Sequence, residues 1–494
     1  MKTNTLDFDA QALRDKILDL AMRGKLVPQD PNDEPASVLL EKIKAEKAEL
    51  VKEKKIKKSK PLPEITDDEK PFDIPDSWKW VRIDTINTYN GHSVHPDKNP
   101  NELFELYSVP IYENKHPEEV AGKKIKSNKQ SVKLDDILLC KINPRINRVW
   151  KVGNFTKYKS IASTEWIVIR QKYIVSNYLR YAFMSPYFRE LLQSEVSGVG
   201  GSLTRAKPKI IKNYIVPLPP LSEQSRIAAK IAQLFALLRK VESSTQQYAK
   251  LQTLLKTKVL DLAMRGKLVK QDPNDEPTSV LLEKIKAEKA ELIKEKKIKK
   301  SKPLPPITDE EKPFDIPDTW EWVRLGDLTA PVEYAMADGP FGSNLKKTDY
   351  TLDPEVRIIQ LSNIGENGWK DQNVKYTTFE HLKSIQRSEV FPGNIVIAKM
   401  MPAGRAIIVP NKDKKYVLSS DAVKFIPDTH IYKDFLIYAI NSNTYRDQVN
   451  EKLQGTTRPR TSLKKLKNFL IPLPPFDEQK RIVTKTFDLF NMIG

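Results

Sequence analysis

The chain reads as α+β: two mixed α/β domains of unlike sequence, separated by a long antiparallel coiled coil in a pseudo-two-fold cyclic organisation. Three observations predict this. A stretch of sixty-six residues, Leu18 to Ile83, recurs as Leu260 to Leu325 at an offset of 242 with only eight differing pairs. The segments that follow the two copies, Asp84 to Asn213 and Gly326 to Asn468, are unlike each other. Near the C-terminus, IPLPPFDEQKRI (Ile471 to Ile482) repeats VPLPPLSEQSRI (Val216 to Ile227). A repeat of this length is architectural, and it predicts one frame carrying two different domains.

The residues from Ser222 to Gly266 predict one long helix opening after Pro219 and Pro220, with Ser222 as N-cap and Gly266 as the stop. Ile227, Ile231, Leu234, Leu238 and Val241 alternate in steps of four and three, and the row resumes at Leu251, Leu255, Val259 and Leu262. At 1.5 Å per residue such a rod is about 65 Å long, and its apolar stripe requires a partner helix. The chain ends at Gly494, midway through what would be a second rod, while the missing half, ending LDLAMRGKLV, stands at Phe8 to Val27. Read as a circle, the sequence holds one continuous rod and one assembled from its two termini.

After each Gly-Lys-Leu-Val, Asp33-Glu34-Pro35 and its twin Asp275-Glu276-Pro277 open a helix, and Ala36 to Lys58 is rich in helix formers. The basic run Lys52 to Lys60 reads as part of a solvated helical arm. The Pro-bearing stretch Lys60 to Pro75 is a linker into Trp78 and Trp80, with Trp320 and Trp322 in the second copy, and these tryptophans anchor the start of a domain core. Within the variable segments, Arg357 to Ile364, Asn394 to Met400 and Val417 to Ile426 predict strands, and Asn177 to Val196 and Tyr432 to Leu453 predict helices. Asp136 to Lys141 lines up with Asn394 to Lys399, and Leu179, Tyr181, Ala182, Ser185 and Arg189 recur as Leu436, Tyr438, Ala439, Ser442 and Arg446. The two variable segments are therefore expected to be diverged copies of one fold.

The 494 residues carry a formal net charge of +19, which points to a polyanionic partner. Its location matters more than its size. Each copy of the repeat balances 14 basic against 14 acidic residues, whereas Asp84 to Asn213 is +9 and Gly326 to Asn468 is +5. The single cysteine, Cys140, is expected in a buried strand, excludes a disulfide framework and fits a reducing cytoplasm. The start has no signal-peptide core, and no apolar run approaches the roughly 20 residues of a membrane span.

The chain holds no Gly-rich phosphate loop, no helicase box and no Asn/Asp-Pro-Pro-aromatic motif, so no catalytic residue is assigned. Pro96-Asp97 followed by Glu113-Asn114-Lys115 fits a loose nuclease spacing, which arises readily by chance in so charged a chain. His92 and His95 lack a supporting ligand set and read as loop residues, so no metal site is assigned. The DNA-binding candidates are basic and amide side chains in loops, suited to phosphates and base edges. In the first segment they are Lys123, Lys124, Lys126, Lys129, Lys141, Arg145, Arg148, Arg205 and Lys207. In the second they are Asn344, Lys346, Lys347, Gln360, Asn363, Lys399, Arg405, Arg458 and Arg460.

This organisation resembles a type I restriction-modification specificity subunit. The resemblance covers nearly the whole chain and rests on the PLPP–EQ–RI endings (Pro217 to Ile227, Pro472 to Ile482), on AMRGKLV, and on the tryptophan-bearing domain starts. The GPFGSNLKKTDY stretch from Gly339 to Tyr350 and the following VRIIQLSNI add to it. The resemblance implies a non-catalytic, cytoplasmic protein whose two target-recognition domains each read half of a split DNA site. It also implies assembly with two methyltransferase subunits using S-adenosylmethionine on adenine and with two ATP-driven restriction subunits. Those cofactors and Mg²⁺ would belong to the partners, with none in this chain. The expected divisions are residues 1–71 (helical region and linker), 72–220 (first recognition domain), 221–313 (long helix, arm and linker), 314–475 (second recognition domain) and 476–494 (helix completing the second rod). His92 to Asn99 does not resemble Gly339 to Lys347, so residues are not carried over there. Two other readings stay open: the recognition chain of a nuclease with its own cleavage activity, and a coiled-coil adaptor binding proteins alone.

Overall fold

The computed structural model describes residues 8–58, 60–194, 196–197, 204–300, 302–456 and 458–494. The chain divides into an N-terminal unit, Thr5–Gln246, and a C-terminal unit that takes in Gln247–Gly494. One helix, Leu221–Met264, gives its first half to the former and its second half to the latter.

The frame is the same in each unit. The helix Ala10–Met22 stops at Gly24 (φ 67°), and the long helix stops at Gly266 (φ 66°). A Cβ would lie 2.5 Å from Pro75 Cγ at Gly24 and 2.4 Å from Pro317 Cγ at Gly266, so both the backbone sign and the close approach demand glycine. The long helix starts at Leu221, directly after Pro220, which places Ser222 inside its first turn rather than at a cap.

The arm helices, Ala36–Lys52 and Thr278–Lys294, bury Ala36, Leu39 and Ile43 in one unit and Thr278, Leu281 and Ile285 in the other. They end short of Lys58 and its twin because Lys54 and Lys296 take left-handed φ values of 60° and 56°. Most of the lysine-rich run therefore lies beyond the helix, and Ser59 and Ser301 within it fall outside the described residues.

Each linker is strapped by a buried arginine. Arg82 donates to the carbonyls of Pro63, Glu64 and Asn213 and to the Glu69 carboxylate. Arg324 does the same with Pro305, Pro306, Asn468 and Glu311. Both arginines lie in two-stranded antiparallel sheets that join the start of a variable domain to its end: Lys79–Arg82 with Ile215–Leu218, and Glu321–Arg324 with Leu470–Leu473. Pro217 and Pro472 sit opposite Trp80 and Trp322. A two-stranded sheet has only edges, so their missing N–H groups are tolerated.

The EQ–RI motif is the latch that closes each unit. Buried Glu223 accepts from Trp78 Nε1 at 2.8 Å and from Gln29 Nε2 at 2.5 Å, and Arg226 pairs with Asp33 at 2.6 Å. Glu478 repeats this with Trp320 Nε1 at 2.9 Å and Gln271 Nε2 at 2.6 Å, and Arg481 pairs with Asp275. Gln224 Oε1 accepts from Val175 N at 2.9 Å, and Gln479 Oε1 from Tyr432 N at 2.8 Å, tying each helix to its variable domain. Trp78 and Trp320 are thus buried anchors, as their position in the sequence predicts.

In the N-terminal unit the helix Ala10–Met22 lies antiparallel to the first half of the long helix, with Arg14 on Glu242 at one end and Gln29 on Glu223 at the other. In the C-terminal unit Phe476–Ile493 pairs likewise with the second half, through Gln252 to the Ile493 carbonyl and Gln271 to Glu478. The apolar row is buried at only some of its positions. Ile227, Ile231, Leu238 and Val259 are buried and Leu234 and Leu262 half-buried, but Val241, Leu251 and Leu255 are 44%, 56% and 53% exposed. The predicted seam is corrected at those three positions. Only Leu251 falls between the Arg14–Glu242 and Gln252–Ile493 contacts; Val241 and Leu255 lie within the paired stretches and stay exposed there.

The variable domains are two diverged versions of one architecture. Ile137–Cys140 pairs antiparallel with both Val149–Lys151 and Trp166–Ile169, and Ile395–Ala398 with both Ala406–Ile408 and Ala422–Phe425. A parallel pair follows in each, Leu103–Tyr107 with Lys159–Ser163 and Val356–Ile359 with Tyr416–Leu418. Four predicted elements are split, one being Arg357 to Ile364, where the 3-10 turn Leu361–Asn363 separates Val356–Ile359 from Ile364–Gly365. Val417 to Ile426 becomes two strands in different sheets. The two long helices break at Ser185 and Ser442, giving Ser176–Met184 with Pro186–Ser194 and Lys433–Asn441 with Asn443–Glu451. Each serine hydroxyl donates back to the carbonyl three residues earlier, at 2.7 and 2.6 Å, which competes with the helix ladder.

Replacing Glu223 by Ala leaves the buried Trp78 N–H without an acceptor, and urea unfolding should show a loss of about 1–3 kcal/mol. Glu242→Ala, in the partly exposed pair with Arg14, should cost less. Burial raises the Glu223 and Glu478 carboxyls, against the opposing pull of their Trp and Gln donors. The folded chain therefore holds these protons more tightly than the unfolded one. Their stabilising contribution is full below the unfolded value of about 4.3 and declines as pH rises through the raised folded value. The double variant Glu223→Gln/Glu478→Gln should flatten that part of a stability-against-pH profile.

Candidate nucleic-acid interface

The structure draws separate basic loops together within each variable domain, in the same way in both. In the N-terminal unit the strand ending at Cys140 runs into Lys141–Arg148, and main-chain bonds from Asn143 N to Thr204 O (2.8 Å) and Ala206 N to Lys141 O (2.9 Å) fasten the 204–209 loop beside it. Ile142 bridges Arg205. In the C-terminal unit Thr461 N donates to Lys399 O at 2.8 Å, and Met400 bridges Arg460. Arg205 and Arg460 are thus structural counterparts, and both are exposed.

Glu165 organises the first cluster. Its carboxylate lies 3.2 Å from the Arg205 guanidinium and 4.0 Å from the Lys141 ammonium. Arg145 and Lys207 are exposed beside it, and Arg148 is half-buried. Lys123 and Lys124 occupy an exposed turn, Gly122–Lys124, and Lys126 follows. Lys124, Lys126, Glu118, Ile142 and Glu165 line an open pocket of about 610 Å³. Lys129 does not belong with the free cations. It lies in a strand, is 8% exposed and places its ammonium on the Ser127 carbonyl and hydroxyl, and burial lowers its pKa. Residues 198–203 of the predicted Gly198–Lys209 loop lie outside the described residues.

In the second domain Asn344, Lys346 and Lys347 are exposed on the loop after Gly342, and Gln360 lines a pocket of about 310 Å³ with Tyr350, Ser362, Ser419 and Asp421. Asn363 is not available for recognition: it is wholly buried, its oxygen accepts from Gln360 N, and its amide donates to the carbonyls of Lys370 and Gln372. Lys399 is engaged at 2.6 Å by Asp338 and largely covered. Arg405 shares the Glu366 carboxylate with Arg446, at 2.7 and 2.6 Å. Arg446, which the sequence marks only as the counterpart of Arg189, joins this basic cluster by pairing with the Glu366 carboxylate. Arg458 is exposed, and Thr457 beside it is outside the described residues.

The chance nuclease spacing finds no support. Lys115 sits over the Tyr112 ring at 3.6 Å, and among the described residues Asp97, Glu113, His92 and His95 enter no cluster of three metal-ligand side chains. Cys140 is buried, as expected, and burial raises its thiol pKa. No helix of the described residues is long and apolar enough to cross a membrane.

Two copies of one mixed α/β domain, each presenting an arginine-centred basic cluster and each clamped to a repeated helical frame, define a duplicated recognition protein. The family model for the type I restriction modification DNA specificity domain matches residues 75–252 and again 317–493. The chain belongs to that family. It is 34% identical to the EcoAI type I restriction enzyme specificity subunit of Escherichia coli, over 98% of this chain and 89% of that one. It is 25% identical to the MjaVIII specificity subunit of Methanocaldococcus jannaschii, over 85% and 88% of the two chains. A solved chain from a type I R-M system shares the fold at a TM-score of 0.60 and 20% identity, covering 86% of this chain and 92% of that one.

Asn363→Ala removes a side chain that satisfies three main-chain groups and should cost about 1–3 kcal/mol in urea unfolding. Gln360→Ala, at the pocket edge, should leave stability nearly unchanged. Equal losses for both would place Gln360 in the structural core of the domain as well.

Proposed function

We propose that each variable domain reads one half of a bipartite double-stranded DNA site, and that the bases between the halves go unread. The observation that carries this reading is the duplication itself: one frame, two unlike domains, and Arg205 and Arg460 at the same bridge in each. The concentration of positive charge in the unlike segments supports it, because phosphate neutralisation by Lys and Arg is the sequence-independent part of DNA affinity. In this reading the chain is the specificity component of the complex and the chemistry belongs to its partners. Two methyltransferase subunits bring S-adenosylmethionine, and two restriction subunits bring ATP and Mg²⁺. The complex works in the cytoplasm.

The helix Leu221–Met264, shared by both units, supplies the spacing in this proposal. Inserting four residues after Tyr248, about one helical turn, should change the number of unread base pairs while both half-sites stay the same. The check is single-molecule mapping of methylated adenines after co-expression with the neighbouring methyltransferase chain. An unchanged gap would refute the spacing role.

The same assay separates the two readers. Arg205→Ala should relax or weaken one half-site and Arg460→Ala the other, by about 1–3 kcal/mol if the arginine reads a base edge. If it holds a phosphate, the loss is uniform across sequences and the salt slope falls by about one. Simultaneous change in both half-sites from a single substitution would argue against modular reading.

A further inference from the structure

The two units offer an internal control, because the same backbone carries different side chains at one junction between arm helix and variable domain. The main-chain bonds from Val175 and Tyr432 to Gln224 and Gln479 set the correspondence. Gln171, Lys172 and Tyr173 in the N-terminal unit stand where Asp428, Thr429 and His430 stand in the C-terminal one. Opposite them on the arm helices are Glu46 and Glu288, equivalent residues of the repeat.

In the N-terminal unit the junction carries both a cation and an amide donor, although Glu46 Oε2 has no hydrogen-bond partner there. Gln171 Oε1 accepts from Tyr173 N at 3.0 Å, its amide donates to the Ile86 carbonyl at 3.0 Å, and Lys172 neutralises Glu46 at 2.9 Å. In the C-terminal unit Asp428 Oδ1 repeats the first bond, accepting from His430 N at 3.1 Å. The other terminal atom differs. Where Gln171 has an amide donor, Asp428 has a second carboxylate oxygen that cannot donate to a carbonyl, and Oδ2 has no hydrogen-bond partner although the residue is 1% exposed. Thr429 supplies no cation in place of Lys172. Instead His430 Nδ1 lies 2.9 Å from Asp428 Oδ1 and 3.7 Å from Glu288 Oε2.

Lys289 lies close enough to Asp428 for the two charges to interact, but it makes no hydrogen bond to Oδ2. Its ammonium is bonded to the Asp327 carbonyl at 2.8 Å, as that of Lys47 is to the Asp84 carbonyl in the other unit. A buried carboxylate oxygen without a donor is costly. One imidazole and two carboxylates within 4.8 Å of one another are the only such group among the described residues. Donors about 2.1 Å from a shared metal ion lie roughly 3–3.5 Å apart, close to the 2.9 and 3.7 Å that separate the imidazole from the Asp428 Oδ1 and Glu288 oxygens. The imidazole favours zinc-class ions over Mg²⁺ or Ca²⁺.

We propose that Glu288, Asp428 and His430 bind a divalent cation of the zinc class, which fastens the second arm helix to the second variable domain where Lys172 fastens the first. The ion displaces the Nδ1 proton of His430, and water completes its coordination.

The test uses the full-length chain, stripped of metal and titrated with Co²⁺ and then Zn²⁺. One equivalent should bind with a visible d–d band, Zn²⁺ should displace it, and the unfolding midpoint should rise. His430→Ala and Asp428→Asn should abolish all three effects, whereas His381→Ala should leave them intact. Thr429→Lys, which restores the residue of the N-terminal unit, should also abolish binding while keeping the far-UV spectrum and unfolding midpoint of the metal-free chain or better. Uptake only at millimolar metal, or binding that survives both His430→Ala and Thr429→Lys, would overturn the site.

Discussion

A buried glutamate at the start of a helix, held by a tryptophan indole and a glutamine amide, is the contact on which the rest of the structure depends. Glu223 and Glu478 each join three parts of the chain that are far apart in sequence: the end of a variable domain, the turn after a helix, and the tryptophan that begins the domain. The neighbouring residues of the motif extend the joint, the glutamine into the domain and the arginine into the arm. Burial works against the carboxylate charge, and two directed donors work for it. A group so placed tolerates little substitution, which is a physical reason for the two copies of the repeat to have stayed alike.

With the frame held in this way, the domains between the latches are free to diverge. Each is closed by the same two-stranded sheet and the same arginine strap. The frame's lysines are balanced in number by its acids, and some pair directly: Lys42 with Glu34, Lys44 with Glu41 and Lys55 with Glu53. The net positive charge lies in the variable domains, where strand ends bring Arg205 and Arg460 to equivalent places.

Much of this was legible beforehand. The frame could be read because it is written twice, and the long helix because its apolar steps persist for many turns. The candidate cationic loops could be read only as residue types. Lys129 and Asn363 show the limit: nothing in their local sequence distinguishes a free lysine or asparagine from one whose polar atoms are already taken by Ser127 or by the Lys370 and Gln372 carbonyls. The row through Val241, Leu251 and Leu255 failed for a related reason, since periodicity reports which face is apolar but not which of its residues a partner helix covers. The break at Ser185 was legible in Pro186, which disfavours helical backbone in the residue before it, whereas the break at Ser442, with its hydroxyl turned back on its own helix, has no such signal.

From the sequence alone follow the duplication, the cyclic order of the helices, the neutral frame and the basic variable domains, because these are properties of pattern and count along the chain. Which side chains are spent on the fold and which are left exposed was decided only by the tertiary structure. The same holds for the pairing of Met400 with Arg460 and for the meeting of Glu288 with Asp428 and His430. Hydrogen-bond satisfaction and burial depend on neighbours brought from distant positions, and no local pattern records those neighbours.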